Sequence, residues 1–231
     1  MGSMLYGAHQ SVAGGLHTAF ERGTNDRCAA IQIFTKNSSM WREPTLTDEQ
    51  VKAFRDAHAA FGGPVITHTS YLINLATDKP DVLKKSVDSL VAEVLRSSQL
   101  GIPHVVLHPG AHLGFGEDHG ITRVAESLDE VHDRTKGATA KILLENTAGQ
   151  GTCVGHLFDH LSAILSDRQW TKAGEMEQYR FLIRTGALEE IMGLPEEEQI
   201  KAKNLIDPRG LGSMFSALGF SHNFPFPVPA F

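Results

Sequence analysis

Five short apolar runs, each followed by a stretch with helical spacing, constrain this chain more than any other feature. The runs are Met4 to His9, Cys28 to Thr35, Pro64 to His68, His104 to His108 and Lys141 to Glu145. Short apolar runs bounded by turn residues read as strands buried on both faces. The stretches after them read as helices: Val12 to Arg22 behind Ser11, Thr47 to Phe61, Asp81 to Leu100, Ile121 to Thr135, and Gly155 to Leu165. Thr47-Asp48-Glu49-Gln50 approximates a capping box. Val82, Val87, Leu90, Val94 and Leu95 form the expected apolar face of the third helix. Regular alternation of strand and helix implies a parallel sheet with right-handed crossovers.

That pattern suits a doubly wound sheet or a (β/α)8 barrel. No GxGxxG follows the first strand, which weakens a dinucleotide-binding reading. Polar residues close all five strands, and the C-terminal strand ends are where a barrel holds its site. Three successive strands end in His68, His108 and Glu145. A carboxylate at the end of a buried strand is costly to desolvate unless something positive meets it. Two imidazoles and a carboxylate at neighbouring strand ends are the donor types that zinc accepts.

Composition narrows the function classes. The formal net charge of −6 argues against a broad, sequence-independent nucleic-acid coat, though not against a DNA enzyme made locally positive by bound metal. No apolar run approaches the roughly 20 residues of a membrane span. The start carries no leader pattern, so the cytosol is the expected compartment. Cys28 and Cys153 form no CxxC and read as free thiols.

After about Ser166 the apolar-strand pattern stops. Glu175 to Ile191, Pro195 to Ile206 and Pro208 to Leu218 read as helices, and Phe224 to Pro229 as an extended proline-rich tail. The expected organisation is a barrel-type unit over residues 1–166 and a helical segment over 167–231. Five strands cannot close an eight-stranded barrel. The C-terminal helices are therefore expected to lie against its open side.

Five ordered blocks resemble endonuclease IV, the zinc-dependent apurinic/apyrimidinic endonuclease family. They are Gly7-Ala8-His9 with Ala13 to Leu16, Gln32 to Asn37, His68 to Leu75, His108 to Gly114, and Glu145 to Gly151. The resemblance implies an α/β, TIM-barrel-like fold of the endonuclease IV and xylose isomerase-like kind, here with five βα units plus C-terminal helices. It implies a zinc-dependent DNA-repair phosphodiesterase that cleaves duplex DNA 5′ to abasic sites. His68, His108 and Glu145 then correspond to the protein ligands of one zinc, with Glu145 bridging towards a second and acting as the catalytic carboxylate. Tyr71 corresponds to a residue that enters DNA at the lesion. Asn37, Gly149 and Gly151 are the further expected DNA contacts, and His9 and His112 are expected to orient ligands or water from behind. Ser39 stands where the family often carries an arginine.

The family uses three zinc ions, and its other ligands come from later motifs that this chain lacks. His222 is the only histidine after His160. One complete zinc site and impaired cleavage are therefore expected. No protein partner is implied. Two other readings stand beside this one: a catalytically inactive metal- or DNA-binding remnant, and a sugar isomerase or epimerase. The Asn146-to-Gly151 block and the Tyr71 loop speak against the sugar enzyme.

Overall fold

The computed structural model describes residues 7–145 and 152–154, together with the backbone of strands 170–177 and 216–222. The elements run β1 (Gly7–His9), α1 (Thr18–Asn25), β2 (Ala30–Ile33), α2 (Asp48–Phe61), β3 (Val65–His68), α3 (Pro80–Leu100), β4 (His104–Leu107), α4 (Glu117–Arg134), β5 (Lys141–Glu145), β6 (Trp170–Glu177) and β7 (Ser216–His222). The first five strands pair in parallel and in sequence order. The alternation read from the sequence is thus the fold. The expected helix over Gly155 to Leu165 and the proline-rich tail lie outside the described residues.

Alternation along each strand decides what faces the helices. Val105 and Leu107 of β4 and Ile142 and Leu144 of β5 are buried in one cluster with Leu90 and Val94 of α3 and Val124 and Leu128 of α4. Ile31, Ile33 and Val65 are buried in a second cluster with Phe20 of α1 and Phe54 of α2. Side chains alternate with period two. Phe34, His68, His108 and Glu145 therefore fall on the opposite face, away from the helix layer, one at the end of each strand. The register sets His68 beside Val106 and Leu107 beside Leu144, so His108 and Glu145 are level and His68 stands two residues short of them on the adjoining strand.

Helix α2 has the full reciprocal capping box between Thr47 and Gln50, and Gly62 closes it in the left-handed conformation. Helix α1 starts later than expected, at Thr18 rather than Val12. Gly14 and Gly15 both take positive φ, which breaks a right-handed helix at that point. Arg22 reaches back to the carbonyls of Ser11 and Ala13, both at 2.8 Å, and holds that glycine turn against the helix. In α3 the expected apolar face is shifted, because Leu95 is exposed while Glu93 and Arg96 are buried.

The expected C-terminal helices are corrected where the structure describes them. Glu175–Glu177 belong to β6 and Ser216–Leu218 to β7. Strand β7 pairs antiparallel with β5, and β6 pairs antiparallel with β7, giving the sheet order β1-β2-β3-β4-β5-β7-β6. The free backbone edge of β5 supplies the physical reason: an unpaired strand edge takes up whatever extended chain reaches it, and pairing overrides weak local preference.

Candidate metal centre

His68 ends β3 as the residue after Thr67, whose side chain points to the helix layer. Its Nδ1 lies 2.8 Å from the backbone carbonyl of Thr69. A carbonyl can only accept, so Nδ1 carries the proton and Nε2 is the nitrogen left for the site. His108 follows the same rule. Its Nδ1 donates to the backbone carbonyl of Glu145 at 3.1 Å. Both Nε2 atoms turn towards the Glu145 carboxylate, His68 at 3.3 Å and His108 at 3.8 Å from Oε2. The His68 and His108 rings are 4.9 Å apart between centroids.

Among the described residues these three are the one group of His, Cys, Asp or Glu whose donor atoms converge, all within 4.8 Å of one another. A tetrahedral ion with bonds of about 2.0–2.2 Å needs donor-to-donor edges of roughly 3.4 Å, close to the distances from Oε2. The donor chemistry makes the same demand. With Nδ1 already protonated, neutral His68 would turn a lone pair on Nε2 towards a carboxylate oxygen. That arrangement is repulsive unless Nε2 takes a proton or a cation sits between the two. With His68 as the donor, its hydrogen bond comes first in holding the Glu145 carboxyl below the usual carboxylate range. The charges of His108 and His68 add to this against the opposing effect of burial. The residues fit a divalent cation, and the carbonyl of Thr69 and that of Glu145 fix the ring orientations such an ion needs.

The rim around the centre is aromatic. Phe34 meets His68 edge-on at 5.7 Å and Tyr71 edge-on at 5.4 Å. Tyr71 is 65% exposed, and Met40 in the neighbouring loop is 50% exposed. Trp41, next to Met40, packs against the larger core. Asn37 is exposed, and its side chain turns the chain by accepting from Ser39 N at 2.9 Å. His9 packs on Phe34 with tilted rings 4.5 Å apart between centroids and bonds Gln32 at 3.1 Å. His112 accepts from Gly114 N and Gly116 N at 3.3 and 3.2 Å, so its Nδ1 organises its own loop. Neither has a hydrogen bond to the three donors among the described contacts. Gly149 and Gly151 lie outside the described residues.

Two supporting features escape a reading by strand ends. Asn74 braces the loop after His108: its Nδ2 donates to Ala111 O at 2.9 Å and its Oδ1 accepts from Ala111 N at 3.0 Å. Behind β2 and β3 lies an ionic network of buried Lys36, Glu93 and Arg96 with half-buried Glu43. Its signal was present in the sequence as Glu93, a carboxylate on the same helical stripe as Ser86, Leu90 and Ser97.

This fold and donor set define an α/β chain of five parallel strands whose neighbouring strand ends could hold a metal ion. The xylose isomerase-like TIM barrel model matches residues 27–174, and the chain belongs to that family. Within it the chain is similar to endonuclease 4. A "Probable endonuclease 4" from Geobacter sp. is 47% identical over 162 residues, covering 70% of this chain and 57% of the relative. The crystal structure of endonuclease IV from Thermus thermophilus superposes with a TM-score of 0.63 at 35% identity, over 71% of this chain and 59% of that one. A D-tagatose 3-epimerase-like protein shares the fold, with a TM-score of 0.57 at 19% identity over 71% of this chain and 61% of that one. The chain spans little more than half the length of the curated relatives it matches, 57% for the Geobacter protein.

Proposed function

We propose that this chain is an endonuclease IV-type phosphodiesterase that binds zinc at His68, His108 and Glu145 and acts on duplex DNA at abasic sites. The convergence of two tautomer-fixed histidines and one carboxylate on adjacent strand ends carries the reading. The 47% identity to a protein named as an endonuclease 4 supports the substrate class.

Each residue has a role in this scheme. A zinc ion held there supplies Lewis acidity towards a phosphoryl oxygen and lowers the pKa of water. His68 and His108 present Nε2 while their Nδ1 protons stay on backbone carbonyls. Glu145 presents Oε2 between them and keeps its second oxygen for a further cation or a proton. Tyr71, backed by Phe34, enters the gap that a missing base leaves in the stack. Asn37 meets the backbone beside it, and Gly149 and Gly151 let amide groups approach phosphate. Cleavage by this chain is far weaker than by a three-metal enzyme, because the later ligand motifs of the endonuclease IV family are missing from its sequence.

Incubation of the full chain with a duplex bearing one abasic site, with zinc content measured on the same sample, tests this. The expected result is slow cleavage 5′ to the lesion that Glu145→Gln abolishes. Zinc binding without any cleavage would favour the inactive metal-binding remnant. Sugar epimerisation with added Mn or Mg, and no effect on DNA, would overturn the proposal.

A further inference from the structure

The segment from Thr35 to Glu43 forms most of the connection from β2 to α2 and carries Asn37 and Met40 on its exposed side. Its two ends are fastened to the same buried stretch of α3. At the first end, the Thr35 hydroxyl donates to Glu93 Oε1 at 2.7 Å and accepts from Arg96 Nε at 2.8 Å. Next to it, Lys36 Nζ donates to Glu43 Oε1 at 2.5 Å and Ser89 Oγ at 3.0 Å. At the far end, Glu43 accepts from Ser89 Oγ at 2.6 Å and Arg96 Nη1 at 2.9 Å. Arg96 Nη2 closes the circuit on Glu93 Oε2 at 2.5 Å. Two cations and two anions balance, and each charged group meets an opposite partner.

The middle of this loop sets a neighbouring one. The carbonyl of Ser38 accepts from Ser70 Oγ at 2.7 Å and from Tyr71 N at 3.2 Å. Tyr71 is thus held at its backbone by a loop whose own ends are held by Glu43 and Glu93. The link from α3 to Tyr71 runs through the loop backbone between Lys36 and Glu43 to the Ser38 carbonyl, which meets the Tyr71 amide. Glu43 touches this loop and α3. Glu93 also accepts from Thr67 Oγ1 at 2.8 Å, next to His68.

We infer that Glu43 is a positioning residue for the exposed rim, fixing the Ser38 carbonyl and through it Tyr71, without a part in holding the metal donors. Loops offer binding groups only as firmly as their anchors allow, and long binding loops otherwise sit at the low end of local stability. The ionic anchor is costly to break from the Glu43 side, because buried Lys36 keeps its charge and loses its carboxylate partner. The circuit therefore holds one conformation of the rim rather than several. The positioning itself stands on the contacts above. Its consequence for DNA rests on the function just proposed.

Hydrogen exchange on the full chain separates the two. In Glu43→Gln the amides of residues 36–41 and of Tyr71 are expected to exchange about tenfold faster or more, while those of β3 and β4 keep their protection. Glu43→Asp should recover part of the loss. Zinc affinity should stay within about twofold of the parent, because none of the three donors is touched. Binding to a duplex carrying a stable abasic analogue should weaken alongside the exchange change. Where Glu43→Gln fails to fold, Ser89→Ala makes the same comparison by removing the hydroxyl that bridges Lys36 and Glu43. Unchanged protection at Tyr71, or equal loss across every strand, overturns the positioning role. A parent chain that shows the exchange pattern but ignores the abasic duplex overturns the DNA reading and leaves the positioning standing.

Discussion

Glu145 meets His108 through two different groups: its backbone carbonyl accepts the Nδ1 proton at 3.1 Å, and its carboxylate Oε2 stands 3.8 Å from Nε2. One residue thus orients the imidazole and shares the position to which that imidazole points. The strand end and the donor pair are one unit. A change at residue 145 that keeps the backbone therefore separates the two contributions.

Glu145→Gln should keep the fold and the His108 orientation yet lose most zinc affinity. Outer partners of metal ligands are typically worth 10–100-fold in affinity, and a direct ligand more. Elemental analysis after dialysis should find about one zinc per parent chain and much less in the variant. His108→Ala should lose zinc as well. Full retention by either variant would mean that the ion is held elsewhere.

Glu93→Gln should destabilise the chain by about 1–3 kcal/mol, because Arg96 would lose one of its two carboxylate partners and keep only Glu43. Glu93 is 2% exposed and Arg96 5%, so water cannot replace the partner. The shift in a urea unfolding midpoint at constant slope measures it. A change under about 1 kcal/mol would mean that the network is more hydrated than its burial indicates.

Acid should weaken the anchor of the Thr35–Glu43 loop. Burial alone would raise the Glu43 carboxyl, but the hydrogen bonds from Lys36 and Ser89 and the charges of Arg96 and Lys36 bring it below its usual 4.5. A carboxyl depressed on folding adds stability above its unfolded pKa and loses it as pH falls through the folded value. Stability should therefore decline as pH drops below about 4.5, with a smaller decline in Glu43→Gln. Parallel pH profiles for parent and variant would contradict this.

Gly110→Ala should cost stability and zinc affinity together. Gly110 sits at φ +110°, and an added Cβ would fall 2.2 Å from Asn74 Oδ1. The backbone strain alone is of the order of 1–3 kcal/mol. The displaced loop begins two residues after His108, so the donor moves with it. Thermal melts with and without zinc would register both losses, and an unperturbed melt would contradict the tight fit.

Tyr71→Ala should leave stability within about 0.5 kcal/mol, since the side chain is exposed. Binding to abasic duplex should fall, while binding to intact duplex changes little. Equal weakening on both duplexes would assign Tyr71 to general contact rather than to the lesion.

The donor trio could be read from the sequence because it obeys two local rules at once. Each member closes an apolar run, and period-two alternation carries it to the face opposite the helix-packed residues Thr67, Leu107 and Leu144. Glu93 and Arg96 were hidden by the opposite circumstance. Glu93 shares a helical stripe with Ser86, Leu90 and Ser97, whose polarity reads as a solvated face, and only Thr35, Thr67 and Glu43, brought in from other elements, make the burial of Glu93 and Arg96 tolerable. The late start of α1 was marked by Gly14 and Gly15, although a helix-like spacing ran through them. Strands β6 and β7 were beyond a local reading, because what holds Ser216–His222 extended is the edge of β5, more than 70 residues earlier in the chain.

The direction of β7 also decides what the last histidine can do. In an all-parallel barrel every strand delivers its final residue to the same rim, so a late histidine would arrive beside the earlier ones. Here Ala217 is level with Glu145, and the chain then runs away from the rim towards Trp170. His222 is five residues beyond that level, which at about 3.4 Å per residue is roughly 17 Å down the sheet. The antiparallel strand carries the one histidine of residues 167–231 to the opposite end of the sheet. A fourth protein donor for the centre would have to come from a different part of the chain, or from a second molecule.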